Sequence, residues 1–301
     1  MGLTNFPNGI TSFGIPIYGD SGHLDASGTT YFVDGNSGAD GNNGLSWETA
    51  KKTLANAFAA SHADIARGSD RWARRNTIFI AGDSFEEDLV ILPQKTDVIG
   101  VGSHNSLKGA MVTGNHVPVN TTMGTRFINV NFMGDASGGD IFTLATSNGG
   151  TEFWGCRFNA TSTAAATGAI VSTAVSFLRI ENCLFEGAFS DAAIELGAGA
   201  SRATIIKDNI IGGANMGIDV SSTLTSTPES SYIIGNVFKT TLACINDASS
   251  KFHIIDNRGI TAANQGVALA GAVVGSTHLA AGNLFSCGDQ DNIVWPANGS
   301  I

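Results

Sequence analysis

Short runs of alternating apolar and polar residues follow one another along most of this chain, and one run recurs at nearly fixed intervals. Two mostly large apolar positions lie five residues apart, and the pair occurs in seven copies at a nearly even spacing that is typical of solenoid repeats. The later position is Phe132, Phe158, Phe185, Ile211, Phe238, Gly259 and Phe285, and the earlier one is Phe127, Phe153, Ile180, Ile206, Ile233, Ile254 and Ala280. The local period of two, with Gly, Asn and Ser at the boundaries, predicts strands rather than helices.

A further short strand is predicted after each copy. These strands are GAIVS from Gly168, AAIEL from Ala192, MGIDV from Met216, ACIND from Ala243 and GVALA from Gly266. One such coil cannot bury its apolar face alone, so it must stack on its neighbours. Stacking at strand spacing, about 4.8 Å, gives an all-β parallel β-helix. Earlier coils begin at Asn76 and Asp97, so we predict the β-helix over residues 76–286 and a tail over 287–301.

A mainly polar column lies two residues before the later apolar position. It contains Val130, Cys156, Cys183, Asn209, Asn236, Asn257 and Asn283. At a bend in a solenoid, an asparagine side chain can hydrogen-bond both the turn backbone and the asparagine of the next coil. A cysteine fits the same inward position as a small apolar residue. We interpret this column as a structural ladder in which Cys156 and Cys183 stack, with free thiols favoured over a disulfide.

One helix is predicted before the coils. Ser46 is a candidate N-cap, Glu48 lies in the first turn and Gly68 follows the end. Ala50, Leu54, Phe58 and Ile65 recur on one face. Such a helix would cover the exposed edge of the first coil, where an open sheet edge invites aggregation. We therefore predict a first strand and a capping helix over residues 29–75.

The composition excludes some classes of function. Only 14% of the 301 residues are charged, and the net charge of -10 argues against a general nucleic-acid-binding protein, which needs positive potential. No segment reaches the roughly 20 apolar residues of a membrane span, and the first residues lack the basic start of a secretory signal. The four cysteines show no CxxC spacing. We expect no cofactor, no nucleic acid and no membrane partner, and synthesis in a cytoplasm.

The best catalytic candidates lie on the later strand of each coil. Glu195, Asp219 and Asn246 each follow an inward isoleucine, so they are expected to project outward from adjacent coils. Two carboxylates about 5 Å apart would suit a retaining glycosidase, and stacked like charges raise one pKa. The alternative is that these residues only keep the surface soluble. Trp154 is a candidate platform for a sugar ring, or else a cover for apolar surface at a subunit contact.

Metal binding is not predicted. The turn that contains Asp34, Asn36, Asp40 and Asn42 resembles a calcium loop, but Leu45 stands where the bidentate glutamate of an EF-hand belongs. The six histidines have no ligand spacing. We interpret this segment as a turn held by Asx hydrogen bonds.

The segment TYFVDGNSGADGNNGLSWETAKKTLANAFA, from Thr30 to Ala59, resembles the opening of pectate-lyase-like right-handed parallel β-helix proteins of bacteria and phages. The resemblance covers about residues 30–285 and implies a right-handed solenoid. The start of the chain, with NFPNGITSFGIP from Asn5 to Pro16, looks similar to leaders of phage structural proteins. The family includes polysaccharide lyases and hydrolases, phage tailspikes and virion proteins without catalytic activity, so the fold alone does not decide the function.

The lyases of this family would imply outward aspartates that hold calcium beside a basic residue. The outward column six residues before the later apolar position instead reads Arg126, Glu152, Arg179, Ile205, Tyr232, His253 and Leu279. Its alternating charges predict a salt-bridge ladder between coils. No matching acidic cluster stands beside this column, which argues against lyase chemistry.

Residues 1–28 are predicted to be an anchoring arm. Its apolar side chains are too many for a solvated linker, while Pro7 and Pro16 break regular structure, so the arm is expected to dock on another chain. The partner-binding residues would be Phe6, Ile10, Phe13, Ile15, Ile17 and Tyr18. The resemblance implies a homotrimer, which would hide Ile205, Ile234 and Ile255.

The leading hypothesis is a non-enzymatic structural protein of a phage virion, a capsid decoration or spike element that contacts a major capsid or tail protein. The low charge and the expected lack of a convergent acidic cleft favour it. The alternatives are a tailspike-type polysaccharide depolymerase using Glu195 and Asp219, and a glycan-binding module without chemistry.

Overall fold

The repeated strand pattern folds into a parallel β-solenoid, which is seen in a computed structural model of the chain. The structure describes residues 11–12, 15–16, 28–66, 74–102, 109–160, 166–221, 223–226, 231–249, 251–261, 265–269 and 279–287. Three long parallel sheets run along the solenoid, and a coil contributes at most one strand to each sheet, the third sheet beginning only at Phe142. The predicted parallel β-helix with a helix near its start is confirmed.

We call the sheets sheet 1, sheet 2 and sheet 3, in the order in which each coil crosses them. Sheet 1 comprises Thr30–Val33, Asn76–Ile80, Thr96–Gly100, Arg126–Ile128, Glu152–Trp154, Arg179–Glu181, Ile205–Lys207, Tyr232–Ile234, His253–Ile255 and Leu279–Ala281. Sheet 2 comprises Ser84–Glu86, Met111–Thr113, Asn131–Met133, Arg157–Asn159, Leu184–Glu186, Ile210–Gly212, Val237–Thr240, Arg258–Thr261 and Leu284–Cys287. Sheet 3 comprises Phe142–Leu144, Ile170–Ser172, Ala192–Leu196, Met216–Val220, Ala243–Asp247 and Gln265–Leu269.

Three short pairs complete the strands. Thr122–Met123 pairs with Asn148–Gly149, and Gly199–Ser201 pairs with Leu224–Ser226, both in parallel. Thr11–Ser12 and Ile15–Pro16 form an antiparallel pair near the start of the chain.

The register of the sheets agrees with the two apolar columns read from the sequence. Phe132 pairs with Phe158 and Phe158 with Phe185, and the column continues to Phe285. The earlier column pairs in the same way from Phe127 to Ala280. From Phe127 to Ile254 in the earlier column and from Phe132 to Phe238 in the later one, the side chains are buried in the interior, where Phe158 and Phe185 stack with ring centroids 4.8 Å apart. The interior is therefore a set of stacked identical positions.

A sharp bend separates sheet 1 from sheet 2 in each coil. Between the two apolar columns one residue adopts a left-handed backbone with positive φ, and that residue is Asn, Asp or Gly, the types that tolerate this conformation. The residues are Asn129, Gly155, Asn182, Asp208, Gly235, Asp256 and Gly282. The ladder residue follows directly. Each repeated run is therefore two strands on different sheets rather than one.

The predicted helix begins later than expected. Ser46 caps only a 3-10 helix, Trp47–Thr49, and the α-helix spans Leu54–Ala66. The chain leaves the helical path at Ala50, whose backbone is extended, so Ala50 is buried but not helical. Leu54, Phe58 and Ile65 are buried on one face, as expected. The ring of Phe58 lies 6.2 Å from that of Phe127 inside the solenoid, centroid to centroid.

All four leading N–H groups of the α-helix have acceptors. The carboxylate of Glu87 accepts hydrogen bonds from the backbone N–H of Leu54 at 2.9 Å and of Ala55 at 3.0 Å. Thr53 supplies the other two acceptors, its hydroxyl for Asn56 and its carbonyl for Ala57. Because Glu87 follows the first strand of sheet 2, this cap attaches the helix to the coils.

Candidate functional site

The outward row of sheet 3 carries the predicted carboxylates in adjacent coils. Val171 pairs with Glu195, Glu195 with Asp219, and Asp219 with Asn246, so the four residues form one continuous row. The three polar side chains of the row are half-buried. Neighbouring strands of a sheet are about 4.8 Å apart, which sets the approximate separation of successive members. The amide of Asn246 donates a hydrogen bond to Oδ1 of Asp219 at 2.6 Å.

Two further carboxylates gather beside this row. Burial raises the pKa of Glu195, and the negative charges of Asp191, Asp219 and Asp140 raise it further. Burial also raises the pKa of Asp219, against a lowering by the hydrogen bond from Asn246. The carboxylates of Asp191, Asp219 and Asp140 therefore lie close enough to Glu195 for their charges to act on it.

Asp140 and Asp191 were missed by sequence reasoning. Asp140 lies two residues before the inward Phe142, on the turn that enters sheet 3, and Asp191 lies on the corresponding turn of a later coil. Burial raises the pKa of Asp140, and its Oδ1 is buried without a hydrogen-bond partner among the described residues. Acidic residues just before the inward residue of sheet 3 are the sequence signal that would have identified them.

The row offers a proton donor next to a carboxylate. Glu195, with its raised pKa, holds a proton to higher pH than an ordinary glutamate, and Asp219 is oriented by Asn246. A separation near 5 Å is that of the acid and nucleophile of retaining glycosidases. The aromatic platform proposed from the sequence is not beside them, because Trp154 lies on sheet 1. Its indole N–H donates to Glu152 at 2.8 Å, and the guanidinium of Arg179 lies over the ring, 5.3 Å from its centroid.

The polar column at the bend forms a continuous chain of hydrogen bonds. Oδ1 of Asn236 accepts hydrogen bonds from the backbone N–H and the side-chain amide of Asn209. Oδ1 of Asn257 accepts the same two kinds of hydrogen bond from Asn236. Each amide also donates to a sheet 1 carbonyl of the preceding coil, as Asn236 does to Ile206 at 3.0 Å. Asn283 lies in the last described coil, and its Oδ1 accepts hydrogen bonds from the backbone N–H and the side-chain amide of Asn257.

The two cysteines continue this column in the preceding coils. The backbone N–H of Cys183 donates to Asn209 at 2.9 Å. The thiols of Cys156 and Cys183 contact the carbonyls of Phe127 and Phe153, the positions that an asparagine amide takes elsewhere. Cys156, Cys183 and Cys244 are buried free thiols. Burial raises the pKa of the Cys183 thiol, which keeps it protonated and able to donate.

The outward column of sheet 1 pairs its charges differently from the predicted ladder. Arg126, Glu152 and Arg179 are neighbours in register. Arg126 forms an ion pair with the buried Asp97 of the preceding coil at 2.6 Å, and Arg179 forms one with Glu181 of its own strand at 2.8 Å. Glu152 accepts a hydrogen bond from the indole of Trp154. The predicted pairing between coils is therefore present at Arg126 and Asp97, which are neighbours in register, whereas Arg179 pairs within its own strand.

The turn that resembled a calcium loop is filled by groups of the chain itself. The ammonium of Lys51 donates to the carbonyls of Asn42 at 2.9 Å and Asp40 at 3.4 Å. Oδ1 of Asp34 accepts from two backbone N–H groups of the turn, and Oδ1 of Asp40 accepts from those of Lys52 and Thr53. Among the described residues, no group of three His, Cys, Asp or Glu side chains is placed to hold a metal ion.

Several predicted binding residues cannot be placed. Phe6, Ile10, Phe13, Ile17 and Tyr18 lie outside the described residues, and Ile15 is described only as part of a short strand. Within the described part of the chain, no helix has the length and apolar character needed to span a membrane.

Comparison with known proteins adds no relative. No family model, no curated protein and no solved structure matches this chain. The class of the molecule therefore rests on its own geometry, that of a parallel β-solenoid with an N-terminal helix.

Proposed function

We propose that this chain is a non-enzymatic structural protein of a phage virion, a capsid decoration or spike element that acts as a homotrimer. The observation that carries the proposal is that several polar side chains on the outer faces of sheets 1 and 3 are engaged by other side chains of the chain. Asp219 accepts a hydrogen bond from Asn246, and the indole of Trp154 donates to Glu152 and lies beneath the guanidinium of Arg179. Such a surface favours a persistent shape over a site for turnover. The resemblance of the start of the chain to phage leaders supports the location on a virion.

Removal of the N-terminal arm, residues 1–28, is an experiment that tests this role. Deleting residues 2–28 should leave the solenoid folded, because the first strand of sheet 1 begins at Thr30, but should abolish incorporation into particles. Folding is measured by circular dichroism and thermal melting, and incorporation by quantifying the protein in purified particles. The matched control keeps the arm but replaces Pro7 and Pro16 with alanine, and is expected to retain incorporation. Wild-type occupancy of the truncated protein would refute the anchoring role.

A second candidate is favoured by the two carboxylates on sheet 3, Glu195 and Asp219, and the two on the turns that enter it, Asp140 and Asp191. In a depolymerase of surface polysaccharide, Glu195 would act as the acid and Asp219 as the nucleophile. The leading proposal requires that purified protein release no reducing ends or unsaturated sugars from a broad glycan panel. Turnover that is lost in Glu195→Gln and in Asp219→Asn, and kept in the exposed control Glu86→Gln, would replace the leading proposal with this one. Binding without turnover would indicate a glycan-binding module.

A further inference from the structure

Four apolar side chains lie exposed on the two coils that precede the first strand of sheet 3. Val90 is 49% exposed, Val117 46%, Val119 76% and Met123 56%. The backbone N–H of Val119 donates to the carbonyl of Val90 at 3.1 Å, so the two coils are in direct contact. We call these four residues the apolar patch. Exposed apolar side chains that are grouped rather than scattered mark a contact surface.

The chain around the apolar patch carries no charge. Segments 89–94 and 116–123 contain no Asp, Glu, Lys or Arg, in a chain whose net charge is -10. In the following coils the same outer side presents Thr143 and Val171, and it becomes acidic only at Glu195. An occupant of the patch is therefore expected to be apolar and uncharged, because a charged group would lose its hydration without finding a partner.

The N-terminal arm joins the solenoid close to this patch. The backbone N–H of Thr29 donates to Oδ1 of Asn76 at 2.8 Å. The backbone N–H of Asn76 donates to the carbonyl of Lys95 at 3.0 Å, and that of Lys95 donates to the carbonyl of Met123 at 2.9 Å. Met123 therefore lies three strand spacings, about 14 Å, from the point where the arm begins. Ten residues, 19–28, span roughly 33 Å when extended, so the apolar part of the arm can reach the whole patch.

The arm has the composition that the patch requires. Residues 1–19 contain no Asp, Glu, Lys or Arg, and their apolar side chains include Phe6 and Phe13. Within the arm, Thr11–Ser12 and Ile15–Pro16 form an antiparallel pair. An isolated pair of short strands is at best marginally stable in water, so it needs a surface on which to pack.

We infer that in the free chain the arm folds back onto the apolar patch of its own solenoid. The tether keeps the arm at an effective concentration in the millimolar range, so even a weak apolar contact holds it there, whereas a separate partner lacks this advantage. The arm that anchors the protein is then covered until a stronger binding surface takes it over. The inference uses the arm of the proposed function, but it concerns the chain before assembly.

The reactivity of Met123 tests whether the arm covers the patch. Dilute hydrogen peroxide oxidises accessible methionine to the sulfoxide, and mass spectrometry of the peptides gives the rate at each methionine. Deleting residues 2–28 should raise the rate at Met123 about tenfold, which corresponds to an arm that is docked about nine-tenths of the time. Met111 and Met133, on the outer face of sheet 2, are internal controls and should react at equal rates in both chains. Equal rates at Met123 as well would overturn the inference.

An exposed residue of the patch supplies the matched variant. Val119→Glu places a charge beneath the arm, so in this variant the rate at Met123 should be the same with and without residues 2–28. Ile260→Glu changes a residue that is 61% exposed on sheet 2, and it should keep the difference of about tenfold. A Val119→Glu chain that keeps the difference would overturn the inference. Thermal melting checks that each variant is folded.

Co-expression of two chains tests whether the arm acts on its own solenoid. A truncated chain marked by the exposed change Thr121→Ser is produced together with the full-length chain, so that the two peptides containing Met123 differ in mass. Met123 of the truncated chain should stay as reactive as when that chain is produced alone. Its protection would overturn the inference in favour of an arm that covers a neighbouring copy.

The outcome for the arm in the free chain is separate from its role on a virion. A truncated chain that is excluded from particles, with Met123 equally reactive in both chains, would overturn the inference and leave the anchoring role intact. A truncated chain that joins particles, with Met123 more reactive than in the full-length chain, would support the inference and refute the anchoring role.

Discussion

A ladder asparagine is hydrogen-bonded to both of its neighbouring coils. Asn236 accepts two hydrogen bonds from Asn209 and donates to Ile206 and Asn257, and its side chain is fully buried. Buried polar groups are stabilising only while they are paired. The ladder therefore holds each coil in one register relative to the next.

Replacing Asn236 with leucine should lower the free energy of unfolding by several kcal/mol. The backbone N–H of Asn209 and the carbonyl of Ile206 would then be buried without partners, each at about 1–3 kcal/mol. Chemical denaturation measures the change. Asn283→Leu is the control and should cost less, because Asn283 is only half-buried and lies in the last described coil. A melting temperature of Asn236→Leu within a degree or two of the wild type would contradict the role of the ladder.

His116 should make the protein sensitive to acid. It is fully buried, its Nδ1 accepts from the backbone N–H of Leu89, and burial lowers its pKa from 6.5 to about 3. Below pH 6.5 the unfolded chain binds a proton that the folded chain does not, so stability present at neutral pH is lost as the pH falls towards 3. The loss is about 1.4 kcal/mol per pH unit.

The measurement compares the wild type with His116→Gln, which does not titrate but keeps an acceptor for Leu89. Between pH 6 and pH 4 the wild type should lose stability more steeply than the variant. The raised pKa values of Asp140, Glu195 and Asp219 act in the opposite direction, but they are common to both proteins and cancel in the difference. Parallel stability curves would show that His116 titrates in the folded protein as it does in the unfolded chain.

At the scale of elements, the α-helix is attached to the coils through its first turn. Glu87→Ala should reduce stability by about 1–2 kcal/mol, because the N–H groups of Leu54 and Ala55 lose their acceptor and the helix dipole loses a nearby negative charge. Urea denaturation measures this. Glu86→Ala, an exposed change one residue earlier, should leave stability unchanged. Equal midpoints for the two variants would mean that the cap contributes nothing.

The strands could be predicted because stacking repeats one environment. Every inward position of sheets 1 and 2 faces the same neighbours one coil away, so columns such as Phe132 to Phe285 are visible in the sequence. The start of the helix was misplaced because Ser46 and Thr53 both carry capping side chains. Only the distant Glu87, which supplies two acceptors from another coil, distinguishes them, and sequence spacing does not indicate that contact.

At the scale of the whole molecule, the acidic cluster was only half predicted. Glu195 and Asp219 lie on strands and follow the repeat, whereas Asp140 and Asp191 lie on turns of unequal length. The chain that joins the inward residues of sheets 2 and 3 is much longer from Phe158 to Ile170 than it is from Ile211 to Ile218. A period cannot be followed through such turns. The ion-pair partner of Arg126 could not be predicted for a related reason. Arg126 has carboxylates in both neighbouring coils, and the sequence pattern does not choose between them.

The short sequence distance between paired strands, here called rungs, bears on how the chain folds during synthesis. Parallel sheets usually form slowly because distant strands must meet, but from Phe127 onwards each rung of sheet 1 pairs with the rung of the very next coil. A ribosome adds the residues of one such coil in roughly one to five seconds. Each coil can therefore settle on the one before it as it emerges from the ribosome, while the helix already covers the first coil. On this route the most recent coil is the growing edge of the solenoid, and the coils before it are already paired.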